Sequence, residues 1–189
     1  LKMSKSLKNF ISIQEFLQNH GTSQQLRIMF LYHNWNKTLD FSDNTLAEAK
    51  NVEKRIIEFV QHIEYINKHN SNKIKTKHTI SDKEYLDSIS KVDNLVFERI
   101  LENVDTRGVL DIILNNITLT YKYLDTDYNI TFVNKYITQI TKIFSVLGLN
   151  FDRHESNIED EKCIDCLVEM REQIRKIITD KKSAIIFII

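Results

Sequence analysis

From Thr45 onward, apolar residues return every three or four positions: Leu46, Ala49, Val52, Ile56, Phe59, Val60, Ile63 and Ile66. That is the period of one buried helix face, and it predicts a long helix opened by a Thr45-x-x-Glu48 capping box. The same period predicts a helix after Ser81-x-x-Glu84, with Leu86, Ile89, Val92, Leu95, Val96 and Ile100 inward. A turn and cap at Asp105–Gly108 precede Val109, Ile112, Ile113 and Ile117, with Tyr121 and Leu124 extending that face. After a polar break at Asp125–Asn129 comes a further stripe: Phe132, Val133, Tyr136, Ile137, Ile140, Ile143, Phe144 and Leu147, ending at Gly148.

Upstream, Ser12-x-x-Glu15 has capping-box form and predicts a short helix stopped by Gly21 in the left-handed C′ position. Thr22-Ser23 then caps a helix facing inward with Leu26, Met29, Phe30 and either Tyr32 or His33. Thr38–Asn44 is turn-like, and Lys68–His78 has no apolar period and predicts an exposed basic loop. Asn150–Glu161 is acidic and polar, has no core pattern and predicts a linker. Ile164, Leu167, Met170, Ile174 and Ile177 mark a last amphipathic helix, and Ala184–Ile189 is an apolar end that does not continue its stripe. No internal repeat is visible. The architecture expected is mainly α, an antiparallel helical bundle.

Composition narrows the class without naming a partner. The 189 residues contain no Pro and only three Gly, which favours long helices over tight turns. Lys+Arg and Asp+Glu balance at 26 each, so any polyanion contact must come from local patches. The two Cys, in Cys163-x-x-Cys166, are too few for a disulfide scaffold and suit a reducing, cytoplasmic setting. With His154 they invite a zinc reading, but structural zinc wants four ligands and no second pair exists, so no metal site is expected. No run reaches the roughly 18–20 apolar residues that span a bilayer, and no membrane partner is expected.

The candidate chemistry sits at Lys2-Met3-Ser4-Lys5-Ser6. Activating a carboxylic acid with ATP builds negative charge on the departing phosphates. Two ammonium groups three residues apart, with the Ser4 hydroxyl between them and that of Ser6 just after, stabilise that charge if they are preorganised around it. The bland alternative is a solvated, Lys-rich chain end.

The segment resembles the nucleotide-binding loop of class I aminoacyl-tRNA synthetases residue for residue. Its continuation through Leu7-Lys8-Asn9-Phe10, Gln25-Leu26-Arg27, His33-Asn34-Trp35 and Thr38–Ser42 resembles cysteinyl-tRNA synthetase, and Lys8 leans toward the eukaryotic branch. Asn103–Arg107 and Ile137–Phe144 resemble that branch's helical bundle. The resemblance implies a loop and stem-contact region at residues 1–44 and an anticodon-binding-type bundle at 45–150. It implies a linker and C-terminal helix, expected to be truncated, at 151–189. It also implies ATP, carried with Mg, cysteine and tRNA-Cys as partners. Lys5 and Lys2 carry over as catalytic residues, and ATP contacts fall on both with Ser4 and Ser6.

The family's other ATP motif, His-Ile-Gly-His, is absent, as are its catalytic-domain zinc ligands. Zinc is therefore expected only in a catalytic body outside this chain, and the chain alone is expected to be inactive. Further tRNA contacts are weighed at Arg27, against a local salt bridge, and at Trp35, against a place in the core. Lys73, Lys75 and Lys77 are weighed against a solvated insertion. Two other functions stay open: a cysteine ligase on the same scaffold acting on an amino sugar, and a non-catalytic tRNA-binding module.

Overall fold

The computed structural model describes residues 10–69, 78–151 and 170–171. The chain divides into two units, Leu1–Phe151 and Asp152–Ile189. Of the second, only Met170 and Arg171 are described, as exposed helical residues. The loop lysines Lys2 and Lys5, residues 70–77 of the predicted basic loop, the Cys163-x-x-Cys166 pair and the apolar end all lie outside the described residues, while Lys68 and His69, expected in that loop, form the last turn of the third helix. The first unit holds α1 (Ile13–Asn19), α2 (Ser23–Leu31), α3 (Asp43–His69), α4 (Ile80–Ser90), α5 (Val92–Leu101), α6 (Thr106–Leu124) and α7 (Ile130–Leu147). Among the described residues there is no strand, so the mainly helical reading holds.

Every helix but α5, which follows α4 directly at Lys91, begins where a short polar side chain satisfies backbone N–H groups that have no partner within the helix. Ser12 Oγ accepts from Glu15 N–H at 3.1 Å, and Thr22 and Gln25 exchange bonds in a full capping box. Two starts lie earlier than predicted. α3 is opened by Ser42, not Thr45: the Ser42 and Thr45 backbone N–H groups donate reciprocally to each other's hydroxyls at 3.0 and 3.3 Å. α4 is opened by Thr79, not Ser81, with Asp82 as its capping-box partner. In both places a hydroxyl two or three residues upstream offered the same chemistry, and local pattern alone did not rank the two.

The predicted faces of α3, α6 and α7 are the core. Leu46, Ala49, Val52, Ile56, Phe59, Ile63 and Ile66 are buried on α3, and Val133, Tyr136, Ile140 and Phe144 on α7. α6 is buried more widely than one stripe, through Val109, Leu110, Ile113, Leu114, Ile117, Thr120 and Tyr123, because it packs against α2, α3, α4 and α5.

Cross-helix contacts fix the directions. Asn67 pairs with Asn134, and Phe59 meets Tyr136 at 6.1 Å between ring centroids, so α3 and α7 are antiparallel. Tyr85 bonds Thr120, and Asp82 bonds Tyr123, so α4 runs against α6. Tyr136 donates to Ile113 O at 3.0 Å and Asn129 N–H to Tyr123 Oη at 2.7 Å, so α7 also opposes α6. The up-and-down order of an antiparallel bundle follows.

Three further expectations need correction. The single helix over Ser81–Ile100 is two, α4 and α5, meeting at Lys91. Ser88 and Ser90 hydroxyls donate back to Glu84 and Asp87 carbonyls, a pattern that bends helices. Past the bend Leu95 turns outward. On α2, Met29 is buried and Leu26 half-buried as predicted, but Ile28 is buried as well and Phe30 is 54% exposed, because the helix is covered by both α3 and α6. Gly21 is not left-handed; Gly148, with φ 67°, is the only described glycine that is. Gly21 instead makes room: a Cβ there would lie 2.4 Å from Gln25 Oε1, the atom that caps α2.

Candidate nucleic-acid interface

Where α2 ends, its last carbonyls and the following turn are tied to the α5–α6 connection. Thr106 Oγ1 donates to Leu31 O at 2.6 Å, and Tyr32 Oη donates to Asp111 Oδ1 at 3.1 Å. Trp35 Nε1 donates to Asn103 O at 2.7 Å. These bonds join residues 68 to 79 positions apart.

The connection itself is unusual. Asn103 and Val104 both have positive φ, 65° and 53°. Asn tolerates that region, but a β-branched residue there is an outlier. The pair is held by Val104 N–H to Ile100 O and Asp105 N–H to Arg99 O, at 3.1 and 3.0 Å. Asp105 then caps α6 by accepting from Gly108 N–H at 2.9 Å.

Between these elements lies a cleft of about 410 Å³ lined by Asn34, Arg99, Arg107, Asp111, Ile112 and Asn115, among others. Its charges are partly spent. Arg99 Nη1 lies 3.5 Å from Asp105 and 3.8 Å from Glu102. Asp111 accepts the Tyr32 hydroxyl. Arg107 is different: its guanidinium carbon sits 4.9 Å from the centre of the Tyr32 ring, a cation–π contact. No carboxylate among the described residues is within ion-pair distance of it. Burial first, and then the Asp111 carboxylate, hold the Tyr32 phenol above its ordinary pKa, while Arg107 pulls the other way. Tyr32 therefore stays neutral at physiological pH, a fixed donor and an aromatic platform.

The two described candidates for tRNA contact are not brought together. Trp35 is not a core residue: it is 70% exposed, with its N–H held by Asn103 and its ring left open. Arg27 is exposed as well, with its guanidinium packed against Gly148, where an added Cβ would meet Arg27 Nη1 at 2.5 Å. That places a cation at the C-terminal, negative end of α7. Lys2, Ser4, Lys5, Ser6, Lys73, Lys75 and Lys77 lie outside the described residues. Sequence reasoning missed Arg107 and Asn34 as members of a cleft; Arg107 was legible only as part of a turn. Among the described residues no group of His, Cys, Asp or Glu is arranged to hold a metal ion, and no helix is long and apolar enough to cross a membrane.

Residues 1–51 match the family model for the class I (C) tRNA synthetase catalytic domain. Across 96% of its length the chain is 34% identical to the cysteine–tRNA ligase of Encephalitozoon cuniculi and 31% identical to the cytoplasmic enzyme of Gallus gallus. Over 78% of its length it is 33% identical to the cytoplasmic enzyme of Drosophila melanogaster. The chain spans 37%, 27% and 21% of the lengths of these relatives. The similarity runs through both the matched N-terminal region and the helical bundle, as the likeness at Lys2–Ser42 and Asn103–Arg107 led us to expect. The chain belongs to the cysteinyl-tRNA synthetase family, on the side of its eukaryotic members.

Proposed function

We propose that this chain contributes to a cysteine–tRNA ligase, which joins cysteine to tRNA-Cys at the expense of ATP. The observation that carries the reading is similarity to cysteine–tRNA ligases over 96% of the chain, which favours it over a ligase acting on an amino sugar. Lys2 and Lys5, with Ser4 and Ser6, are its ATP-contacting loop. Their charges would stabilise the departing pyrophosphate of the Mg–ATP complex as the adenylate forms. Zinc, where the enzyme uses it to select cysteine, would be held by residues other than those described here. The bundle α3–α7 with α1 and α2 docks the tRNA, Arg27 and Trp35 being contact candidates. Lys73, Lys75 and Lys77 are candidates for phosphate contacts. A cytoplasmic location follows from the same kinship, since two of the relatives above carry that word in their names.

The test is binding of the 189-residue chain to transcripts of tRNA-Cys and of an unrelated tRNA across a salt series. Preference for tRNA-Cys, with affinity falling as salt rises, is the expected result. Failure to bind any tRNA at low salt would remove the docking role. For the loop, Lys5→Ala in the complete enzyme should lower adenylate formation by about 10²–10³-fold, the usual loss when one preorganised charge-stabilising group is removed. An unchanged rate would remove Lys5 from the chemistry.

A further inference from the structure

We infer that the cleft between α2 and α6, together with Trp35, takes one unpaired nucleotide of the bound RNA, its base stacked on the indole and its phosphate on Arg107. This rests on the reading that the partner is RNA. Four observations converge on it. Trp35 is the most exposed aromatic residue described, yet its ring is not free to turn, because Nε1–H is held by Asn103 O at 2.7 Å. A fixed, open indole is the platform on which a base stacks. Arg107 is held over the Tyr32 ring with no carboxylate among the described residues in ion-pair reach, so its charge is available to a phosphate.

Asn34 and Asn115 line the same cleft and supply amide donors and acceptors of the kind that read a base edge. Finally, the strained pair Asn103–Val104 carries the carbonyl that holds Trp35, and backbone outliers of this kind concentrate at functional sites. The cleft's other guanidinium, Arg99, is already paired with Asp105 and Glu102. The site therefore engages one phosphate, not a long backbone run.

Trp35 is the chain's only tryptophan, so its fluorescence reports this site alone. The experiment titrates the 189-residue chain with an end-labelled tRNA-Cys transcript. It follows label anisotropy for binding and Trp35 emission for stacking. Expected are quenching of Trp35 in step with the anisotropy and about tenfold weaker binding for Trp35→Ala, as for loss of one stacked base. Arg107→Gln, which keeps a planar group over Tyr32, should weaken binding and reduce the slope of log affinity against log salt by about 0.7–0.9, the share of one phosphate. A purely structural role for Arg107 would not move that slope. Binding by anisotropy with Trp35 emission unchanged, and with both variants at wild-type affinity, overturns the cleft and leaves the RNA reading standing. Absence of tRNA binding at low salt overturns the RNA reading itself.

Discussion

The α3–α6–α7 core and the α2–α5–α6 junction are built on opposite principles. The core is closed by apolar side chains that recur with the helix period. Phe59, Ile56, Ile113, Ile117, Tyr136 and Ile140 are all at most 2% exposed, and each reaches its neighbours by ridge-and-groove packing. The junction is closed by single hydrogen bonds between residues far apart in sequence, around a backbone with two left-handed residues, and it leaves Trp35, Leu101 and Val104 exposed. One region maximises buried area and the other does not. The contrast shows that the junction's geometry rests on a few specific bonds, so its exposed side chains can be changed at far smaller cost to stability than those of the core.

The largest effect should come from the core. Phe59→Ala is expected to cost about 3–5 kcal/mol, whereas Trp35→Ala should cost under about 1 kcal/mol, both read by chemical denaturation. Equal costs would abolish the contrast. Next comes the polar network that ties α4 to α6 and α7. Asp82 is fully buried and accepts from Thr79 N–H at 2.7 Å and from the Tyr123 hydroxyl, which in turn accepts from Asn129 N–H. Tyr123→Phe leaves Asn129 N–H and a carboxylate oxygen without that hydroxyl and should cost about 1–3 kcal/mol. A cost below a few tenths would mean the network is replaced by water.

The core also has a pH limit, of the same sign as that of Tyr32 at the junction. Burial pushes the Tyr85 phenol up to about 12, with the Thr120 hydroxyl working in the opposite direction. Burial likewise raises Tyr136 and Tyr123, the latter with help from Asp82. Each is neutral in both folded and unfolded chains below the unfolded pKa of about 10. From there the unfolded chain loses protons first, so stability falls as pH rises from about 10 through about 12. Circular dichroism against pH should show that decline, and it should be shallower in Tyr85→Phe. A chain equally stable at both ends of that window would contradict the burial assigned to these rings.

The smallest effect sharpens the junction. Val104 has φ 53° and is 54% exposed, so Val104→Asn should relieve backbone strain with little lost packing and raise stability by about 1 kcal/mol. A loss of stability would mean that the Val104 side chain does more for the fold than its exposure suggests.

Which parts were legible follows from the range of the forces. Every residue of the predicted α3 face is buried or half-buried, because a stripe of eight apolar positions has only one way to leave water. Capping signals were legible as chemistry but ambiguous in place: Thr45 is indeed in a cap, as the partner of Ser42 and not as the first residue. Phe30 was misjudged, and Trp35 was left open between core and surface, for one reason. A lone aromatic at the end of a short helix is buried or exposed according to which neighbours arrive, and those neighbours, α3 and α6, come from elsewhere in the chain. Arg27 shows the same limit, since nothing near it in sequence announces Gly148.

The sequence by itself determined the helical class, the faces of the three core helices and the kinship carried by Lys2–Ser42, because local period and motif need no knowledge of distant contacts. Tertiary structure alone decided that α6 is buried on more than one stripe and that α2 turns Ile28 and not Phe30 inward. It also decided that Trp35 stands open above a strained turn while Arg107 lies on Tyr32 without a carboxylate partner among the described residues. Those outcomes turn on hydrogen bonds and packing between residues as many as 79 positions apart, which no local pattern encodes.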